Sequence, residues 1–309
     1  MRNVTKENIT ETFMSYLADD TAPRTREIMG ALVKHLHDFA RETNLTHEEW
    51  RAGIDFLEGC AEIESEDRHE FVLASDVLGL SSLVDMLHSR PDATSSSVLG
   101  PFHISGSPTL KVGGDMKRHY AGQILLAEGI IRDTYGNPIV GAEIDIWQTA
   151  PNGLYSSQDE EQEMFSFHGL MTVGQDGQLS LDREKKTSVG QDGRYAFTTV
   201  KPVEYTVPSD GPVGDILRAC GRHPWRPSHL HYIVKAEGYC SLVTEVFPSD
   251  DPYLDQDTVF GVREDLVMRY VERPSEDFPE GMELSGSVDE PFLHVNFDIT
   301  LALRGKGRT

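Results

Sequence analysis

The stretch Arg226-Pro227-Ser228-His229-Leu230-His231-Tyr232-Ile233-Val234 decides how this 309-residue chain is read. Apolar Leu230, Tyr232 and Val234 alternate with His229 and His231. In an extended strand residues i and i+2 share a face, so the pattern predicts a strand with the apolar trio packed on one side. The two imidazoles then stand side by side on the other. Neighbouring imidazoles on rigid backbone can grip a metal ion, although a His-x-His step among 12 histidines also fits a hydrogen-bonded surface pair.

The β pattern extends outward from that strand. From about Ile124, short β-type runs alternate with turns such as Tyr135-Gly136-Asn137-Pro138. Near the end, Leu293, Val295, Phe297, Ile299, Leu301 and Leu303 alternate with His294, Asn296, Asp298 and Thr300, the pattern of a half-buried antiparallel strand. Its polar set reads as the solvated side of an edge. Before about residue 90 the period changes. Ile28, Leu32, Leu36 and Phe39 recur at helical steps, and Trp50, Ile54 and Leu57 do so after Thr46-His47-Glu48-Glu49, a capping box. A third apolar segment runs from Phe71 to Leu87, and the turn formers from Ser89 to Ser97 end it. The predicted fold is mainly β: an antiparallel β-sandwich over residues 109–309 behind an N-terminal α-helical domain over residues 1–108.

Composition narrows the function. With 28 basic against 51 acidic residues the net charge is −23, which repels a phosphate backbone and argues against nucleic-acid binding. The 3 cysteines, Cys60, Cys220 and Cys240, show no C-x-x-C spacing, so neither a disulfide framework nor a zinc cluster is indicated. The first thirty residues lack an apolar signal core and no later run reaches membrane length, so a cytoplasmic protein without membrane insertion is expected.

Tyr155, in Asn152-Gly153-Leu154-Tyr155-Ser156, and Tyr205, in Glu204-Tyr205-Thr206-Val207-Pro208, give the histidines a distinctive context. A free phenol has a pKa of about 10, but a bound cation favours the phenolate. Two hard phenolates with two imidazoles suit a hard trivalent ion, with ferric iron the natural occupant. Spacing alone does not select these two from the 10 tyrosines, which more often serve as amphipathic packing residues.

Several separated motifs do select them. Asp145-Ile146-Trp147-Gln148, Gly153-Leu154-Tyr155-Ser156, Tyr205 with Asp210-Gly211-Pro212-Val213-Gly214, and the run from Gly221 to His231 resemble the intradiol ring-cleavage dioxygenases. These non-haem ferric enzymes open catechols between the two hydroxyls. Within them the chain looks most like the hydroxyquinol 1,2-dioxygenases, through Gly221 to His231, Val259-Phe260-Gly261-Val262-Arg263 and Ser97-Val98-Leu99-Gly100-Pro101-Phe102. The resemblance runs from about Trp50 to Phe297.

That resemblance implies Fe(3+) held by Tyr155, Tyr205, His229 and His231, with Tyr205 taking a substrate proton and Arg226 stabilising anionic charge on the ring. The implied pocket wall is Leu73, Asp76, Val98, Gly100, Pro101, Phe102, Val207, Pro208 and Val259. A carboxylate there needs a donor, and the third hydroxyl of benzene-1,2,4-triol would supply one to Asp76; otherwise Asp76 faces solvent on its helix. The implied reaction consumes hydroxyquinol and O2 and yields 3-hydroxy-cis,cis-muconate or maleylacetate, with catechol or chlorocatechol as alternative substrates. A homodimer through the helical domain is also implied; some relatives bind lipid there, and the sequence does not decide whether this chain does.

Two features depart from the family pattern. Glu245 stands fourteen residues after His231, where relatives usually carry a neutral hydrogen-bonding side chain. Tyr205 follows Tyr155 by 50 positions, roughly a dozen and a half more than expected. Within them Val173-Gly174-Gln175-Asp176-Gly177 recurs as Val189-Gly190-Gln191-Asp192-Gly193, an extra surface hairpin or a flap over the metal mouth. Two competing classes are a metal hydrolase built on His229 and His231, which lacks H-E-x-x-H and any carboxylate placed to complete the set, and a β-sandwich binding module. Neither explains the joint presence of the tyrosines, Arg226 and the strand histidines.

Overall fold

The computed structural model describes residues 3–66, 68–174 and 192–305, so most of the repeated Val-Gly-Gln-Asp-Gly segment, with the hairpin or flap expected of it, lies outside the described residues. The chain forms two compact units, Met1–Gly59 and Cys60–Thr309.

The first unit contains α1 (Ile9–Ser15), α2 (Pro23–Glu42) and most of α3 (His47–Ile63). Pro23 opens α2 at a position where a missing N–H costs nothing. Before α3 the capping box forms as expected: Thr46 N–H donates to the Glu49 carboxylate at 2.9 Å, and Glu49 N–H donates to Thr46 Oγ1 at 3.2 Å. Ile28, Leu32, Leu36 and Phe39 lie along α2 but remain 48–55% exposed, and Trp50 and Leu57 are similarly open. The period correctly marks the helices, yet it does not mark a face buried within this unit.

The second unit adds α4 (Glu70–Val77), α5 (Leu80–His88) and α6 (Pro212–Ala219). The third apolar segment is thus two helices. Gly79, at φ +76°, makes the corner between them in a conformation that side chains with a Cβ resist. The strands in chain order are β1 (Gly114–Asp115), β2 (Ile124–Asp133), β3 (Glu143–Trp147), β4 (His168–Thr172), β5 (Arg194–Val200), β6 (Tyr205–Thr206) and β7 (Trp225–Arg226). They continue as β8 (Leu230–Lys235), β9 (Leu242–Pro248), β10 (Val267–Met268), β11 (Val271–Arg273), β12 (Phe292–Asn296) and β13 (Ile299–Leu301).

One sheet runs β1-β5-β2-β12-β11 with β13 also on β2, a second runs β10-β9-β8-β3-β4, and β6 and β7 form a separate ribbon. Leu125, Ala127 and Ile131 of β2 with Tyr195 and Phe197 of β5 meet Ile144 and Ile146 of β3 and Leu230, Tyr232 and Val234 of β8 in one core. The alternation of Leu230, Tyr232 and Val234 therefore does point inward, which leaves His231 and Ile233 on the opposite face.

Two strand expectations need correction. The sheets are mixed, because β12 and β13 run parallel to β2, β1 to β5, and β10 to β9. Long connections rather than hairpins join those pairs, and only such connections allow parallel pairing. The final alternating run is interrupted as well. Between β12 and β13 the Phe297 carbonyl approaches Gly129 so closely that a Cβ there would stand 2.0 Å from its oxygen. β12 is paired on both sides, so His294 is not on a free edge; its Nε2 lies 2.8 Å from Glu128 Oε1, while Asp298 accepts the Ile130 N–H at 3.0 Å. Among the described residues no single helix is long and apolar enough to cross a membrane.

Candidate active site

The outer face of β8 and the loops beside it bring the four sequence-selected ligands together. His231 lies in β8 and His229 just before it. Tyr205 in β6 pairs directly with Arg226 in β7. Tyr155 follows a tight turn in which Gly153, at φ +80°, donates its N–H to the Ala150 carbonyl at 2.9 Å. Tyr155 Oη lies 3.0 Å from His231 Nε2, 3.4 Å from His229 Nε2 and 3.3 Å from Tyr205 Oη, and the two Nε2 atoms are 3.0 Å apart. Four donor atoms from distant parts of the chain thus converge on one point.

The electrostatics of this point suit a cation. Burial is the main cause that raises both phenols above their ordinary value, with Arg226 opposing it at Tyr205. Burial, followed by the nearby guanidinium, lowers His229 to about 4, and burial followed by His229 holds His231 well below its usual range. Both imidazoles are therefore neutral near neutral pH and keep a lone pair for coordination. His229 Nδ1 lies 2.7 Å from the Pro227 carbonyl, which can only accept, so the proton sits on Nδ1 and Nε2 faces the cluster. A metal would displace the phenolic protons and supply the charge that burial otherwise disfavours. The donor set fits a hard, oxygen-preferring ion with room for nitrogen ligands.

Beside the cluster lies a buried ionic group. Arg226, 2% exposed, reaches Asp257 through Nε at 3.0 Å and Nη2 at 3.2 Å, and Glu245 through Nη1 at 3.0 Å and Nη2 at 3.1 Å. Its Nη1 also stands 3.2 Å from His229 Nε2. An ordinary surface ion pair is excluded by that burial. The expectation that no carboxylate completes a set with the histidines is overturned too. Glu245 Oε1 lies 3.4 Å from His229 Nε2 and 3.2 Å from His231 Nδ1, and these three residues are arranged closely enough to hold a metal ion.

The residues expected to wall the pocket are placed as follows. Leu73 and Asp76 are buried on α4, and Val98, Phe102, Val207 and Val259 are also buried. Gly100, Pro101 and Pro208 are partly exposed. Phe102 stacks on Tyr155 with ring centroids 4.7 Å apart, and a Cβ on Gly100 would lie 3.7 Å from His231 Cε1. Asp76 is 2% exposed, which rules out its solvent-facing alternative; burial pushes its carboxyl up to about 6, and Oδ2 has no hydrogen-bond partner. Sequence reasoning assigned no role to Trp147, whose indole lies parallel to the His231 ring at 4.5 Å, to Asp257, or to Ser97, whose Oγ is 2.5 Å from Glu245 Oε2. The hairpin turn at Gly238 held the signal for Glu245: pairing outward from that turn puts it opposite His231.

Comparison with known proteins agrees with this geometry. The family profile described as Dioxygenase matches residues 100–303, and the profile described as Catechol dioxygenase N terminus matches residues 22–96. A 6-chlorohydroxyquinol 1,2-dioxygenase of Cupriavidus pinatubonensis is 42% identical over 88% of this chain and 93% of its own length. A hydroxyquinol 1,2-dioxygenase of a Rhizobium species is 41% identical over 96% of this chain and 95% of its own. The crystal structure of a hydroxyquinol 1,2-dioxygenase from Pseudomonas putida superposes with a TM-score of 0.81 at 39% identity, covering 97% of this chain and 99% of that one. With two tyrosines and two histidines gathered on the outer face of a β-sandwich and matches along nearly its whole length, this chain belongs to the intradiol ring-cleavage dioxygenases.

Proposed function

We propose that the chain cleaves hydroxyquinol (benzene-1,2,4-triol) between its adjacent hydroxyls with O2, giving 3-hydroxy-cis,cis-muconate, which tautomerises to maleylacetate. Ferric iron is held by Tyr155, Tyr205, His229 and His231. The convergence of their donor atoms, spaced 3.0–3.4 Å, carries this reading. When bound, the iron supplies Lewis acidity and a template for the ring oxygens and O2, and both oxygen atoms end in the product.

The remaining work falls to the chain. Tyr205 Oη would accept a proton from a substrate hydroxyl, since burial favours the neutral phenol over the phenolate. Arg226 lies against His229 and on the strand paired with Tyr205, so its positive charge is in place for negative charge that develops on the ring. Phe102, stacked on Tyr155, helps exclude water. Leu73, Val98, Gly100, Pro101, Val207, Pro208 and Val259 complete a slot for a flat ring.

Asp76 favours the triol over catechol or chlorocatechol. Its buried, unpartnered Oδ2 offers an acceptor that a third ring hydroxyl would satisfy. The open apolar residues of α2 and α3 are covered by a second copy of the chain, with lipid as a further occupant, in keeping with the family resemblance. The test is a comparison of turnover on hydroxyquinol, catechol and chlorocatechol, repeated on Asp76→Ala. A loss confined to hydroxyquinol supports the reading, and an equal loss on all three removes Asp76 from substrate choice.

A further inference from the structure

We propose that Glu245 is a positioning residue that fixes both His231 and Arg226, and so tunes the metal through a carboxylate–imidazole couple. The inference rests on the proposed iron site. Sheet register carries it. Trp147 of β3, His231 of β8 and Glu245 of β9 are direct cross-strand neighbours in consecutive strands. Directly opposed residues hold their Cβ atoms about 4.5–5.5 Å apart, so Glu245 is aimed at His231 by backbone pairing rather than by a loop.

The two histidines differ in what holds the nitrogen away from the cluster. His229 Nδ1 has a neutral carbonyl, that of Pro227, at 2.7 Å. His231 Nδ1 has no in-line hydrogen-bond partner, but Glu245 Oε1 stands 3.2 Å away, itself also without an in-line partner. The two buried atoms therefore face each other at ion-pair distance. On its other side, His231 is supported by the parallel Trp147 indole, tilted by only 4°. A carboxylate behind a ligating imidazole sets its tautomer and raises its basicity, which gives the bound metal more electron density.

Both oxygens of Glu245 also reach Arg226, Oε1 lying 3.0 Å from Nη1. Oε2 lies 3.1 Å from Nη2 and 2.5 Å from Ser97 Oγ. Gly261 makes the room, since a Cβ there would stand 2.8 Å from Arg226 Nη2 and 2.8 Å from Glu245 Oε2. Asp257 supplies an internal control. It grips Arg226 with both oxygens but is not among the strand partners of His231.

The experiment compares the iron-loaded wild type with Glu245→Gln and Asp257→Asn, reading the tyrosinate-to-iron absorption band and the Fe(III)/Fe(II) midpoint potential. Glu245→Gln is expected to shift the band to longer wavelength, raise the potential and lower kcat by about 10–100-fold; Asp257→Asn is expected to lower turnover while leaving band and potential at wild-type values. Glu245→Asp, which keeps the charge but draws it back from Nδ1, should shift the band the same way by less, and it carries the test if the glutamine variant does not fold. An unchanged band and potential in the Glu245 variants, or an equal shift in Asp257→Asn, overturns the proposal. A wild type with iron but no tyrosinate band defeats the iron-site reading instead.

Discussion

In the helical unit, apolar side chains such as Leu32, Leu36, Phe39 and Trp50 stand half-exposed, whereas in the sandwich unit Arg226, Glu245, Asp257 and both site histidines are buried. Each arrangement breaks the ordinary rule for its residue type, in opposite directions. An exposed apolar stripe reports surface that awaits a partner. A buried ionic cluster reports chemistry, because charges are kept from water at a cost that packing alone would not repay. The same comparison sorts the predictions, since changes inside the sandwich should alter metal and turnover while changes on the stripe should alter assembly.

The largest effect is expected at the ligands. His231→Ala or Tyr155→Phe should abolish stoichiometric iron and lower kcat by roughly a thousandfold or more, since the metal supplies several kcal/mol of transition-state stabilisation. Metal analysis alongside turnover checks this, and full iron occupancy with wild-type turnover would show that the buried cluster is structural. Next comes Arg226→Gln, which leaves Asp257 and Glu245 without their cation. Unfolding measurements should show a loss of about 3–5 kcal/mol, and kcat should fall about 100–1,000-fold in protein that remains folded.

A smaller, pH-dependent effect is expected at Asp76. Its carboxyl titrates near 6 in the fold against an ordinary 3.8, so the folded protein holds that proton more tightly than the unfolded chain. The cost of ionising it is absent below 3.8, grows through the interval and is complete above 6. Asp76→Asn should therefore gain stability relative to wild type at pH 8, by at most about 3 kcal/mol, and lose that advantage near pH 4. Thermal unfolding of both proteins at the two pH values checks the sign; a gain that is larger at the acid end would contradict it. On turnover, the same variant should lose about tenfold on hydroxyquinol and much less on catechol.

The smallest effect on chemistry is expected on the helical stripe. If a second copy covers the stripe as proposed, replacing Leu32 and Leu36 with lysine should yield monomers in sedimentation while changing kcat by less than about twofold, because neither residue belongs to the buried cluster. A variant that stays dimeric would show that another surface covers the stripe's partner.

Much of this comparison is legible in the sequence, and the unreadable part has physical causes. Period 2 in Leu230, Tyr232 and Val234 and period 3.6 in Ile28, Leu32 and Leu36 mark strand and helix because burial on one face is a local matter. Which strands pair, and in which direction, depends on contacts between distant segments, so the parallel pairing of β12 and β13 with β2 was not visible. The helix break at Gly79 hid inside an apolar run because α4 and α5 share the same composition. At the site, the ligand residues could be named through motifs, but Asp257 acts through geometry alone, and Trp147, though part of the Asp145-Ile146-Trp147-Gln148 motif, gains its place beside His231 only from strand pairing. Glu245 departs from the family pattern in the sequence, but only the register at His231 shows where it points.

The most direct test of the central claim is a visible absorption spectrum of the purified protein with iron quantified, taken before and after anaerobic addition of hydroxyquinol. The account predicts a coloured protein with about one iron per chain and a broad tyrosinate-to-iron band that shifts when the triol binds. A protein that stays colourless after reconstitution with iron, and does not respond to the triol, would contradict it.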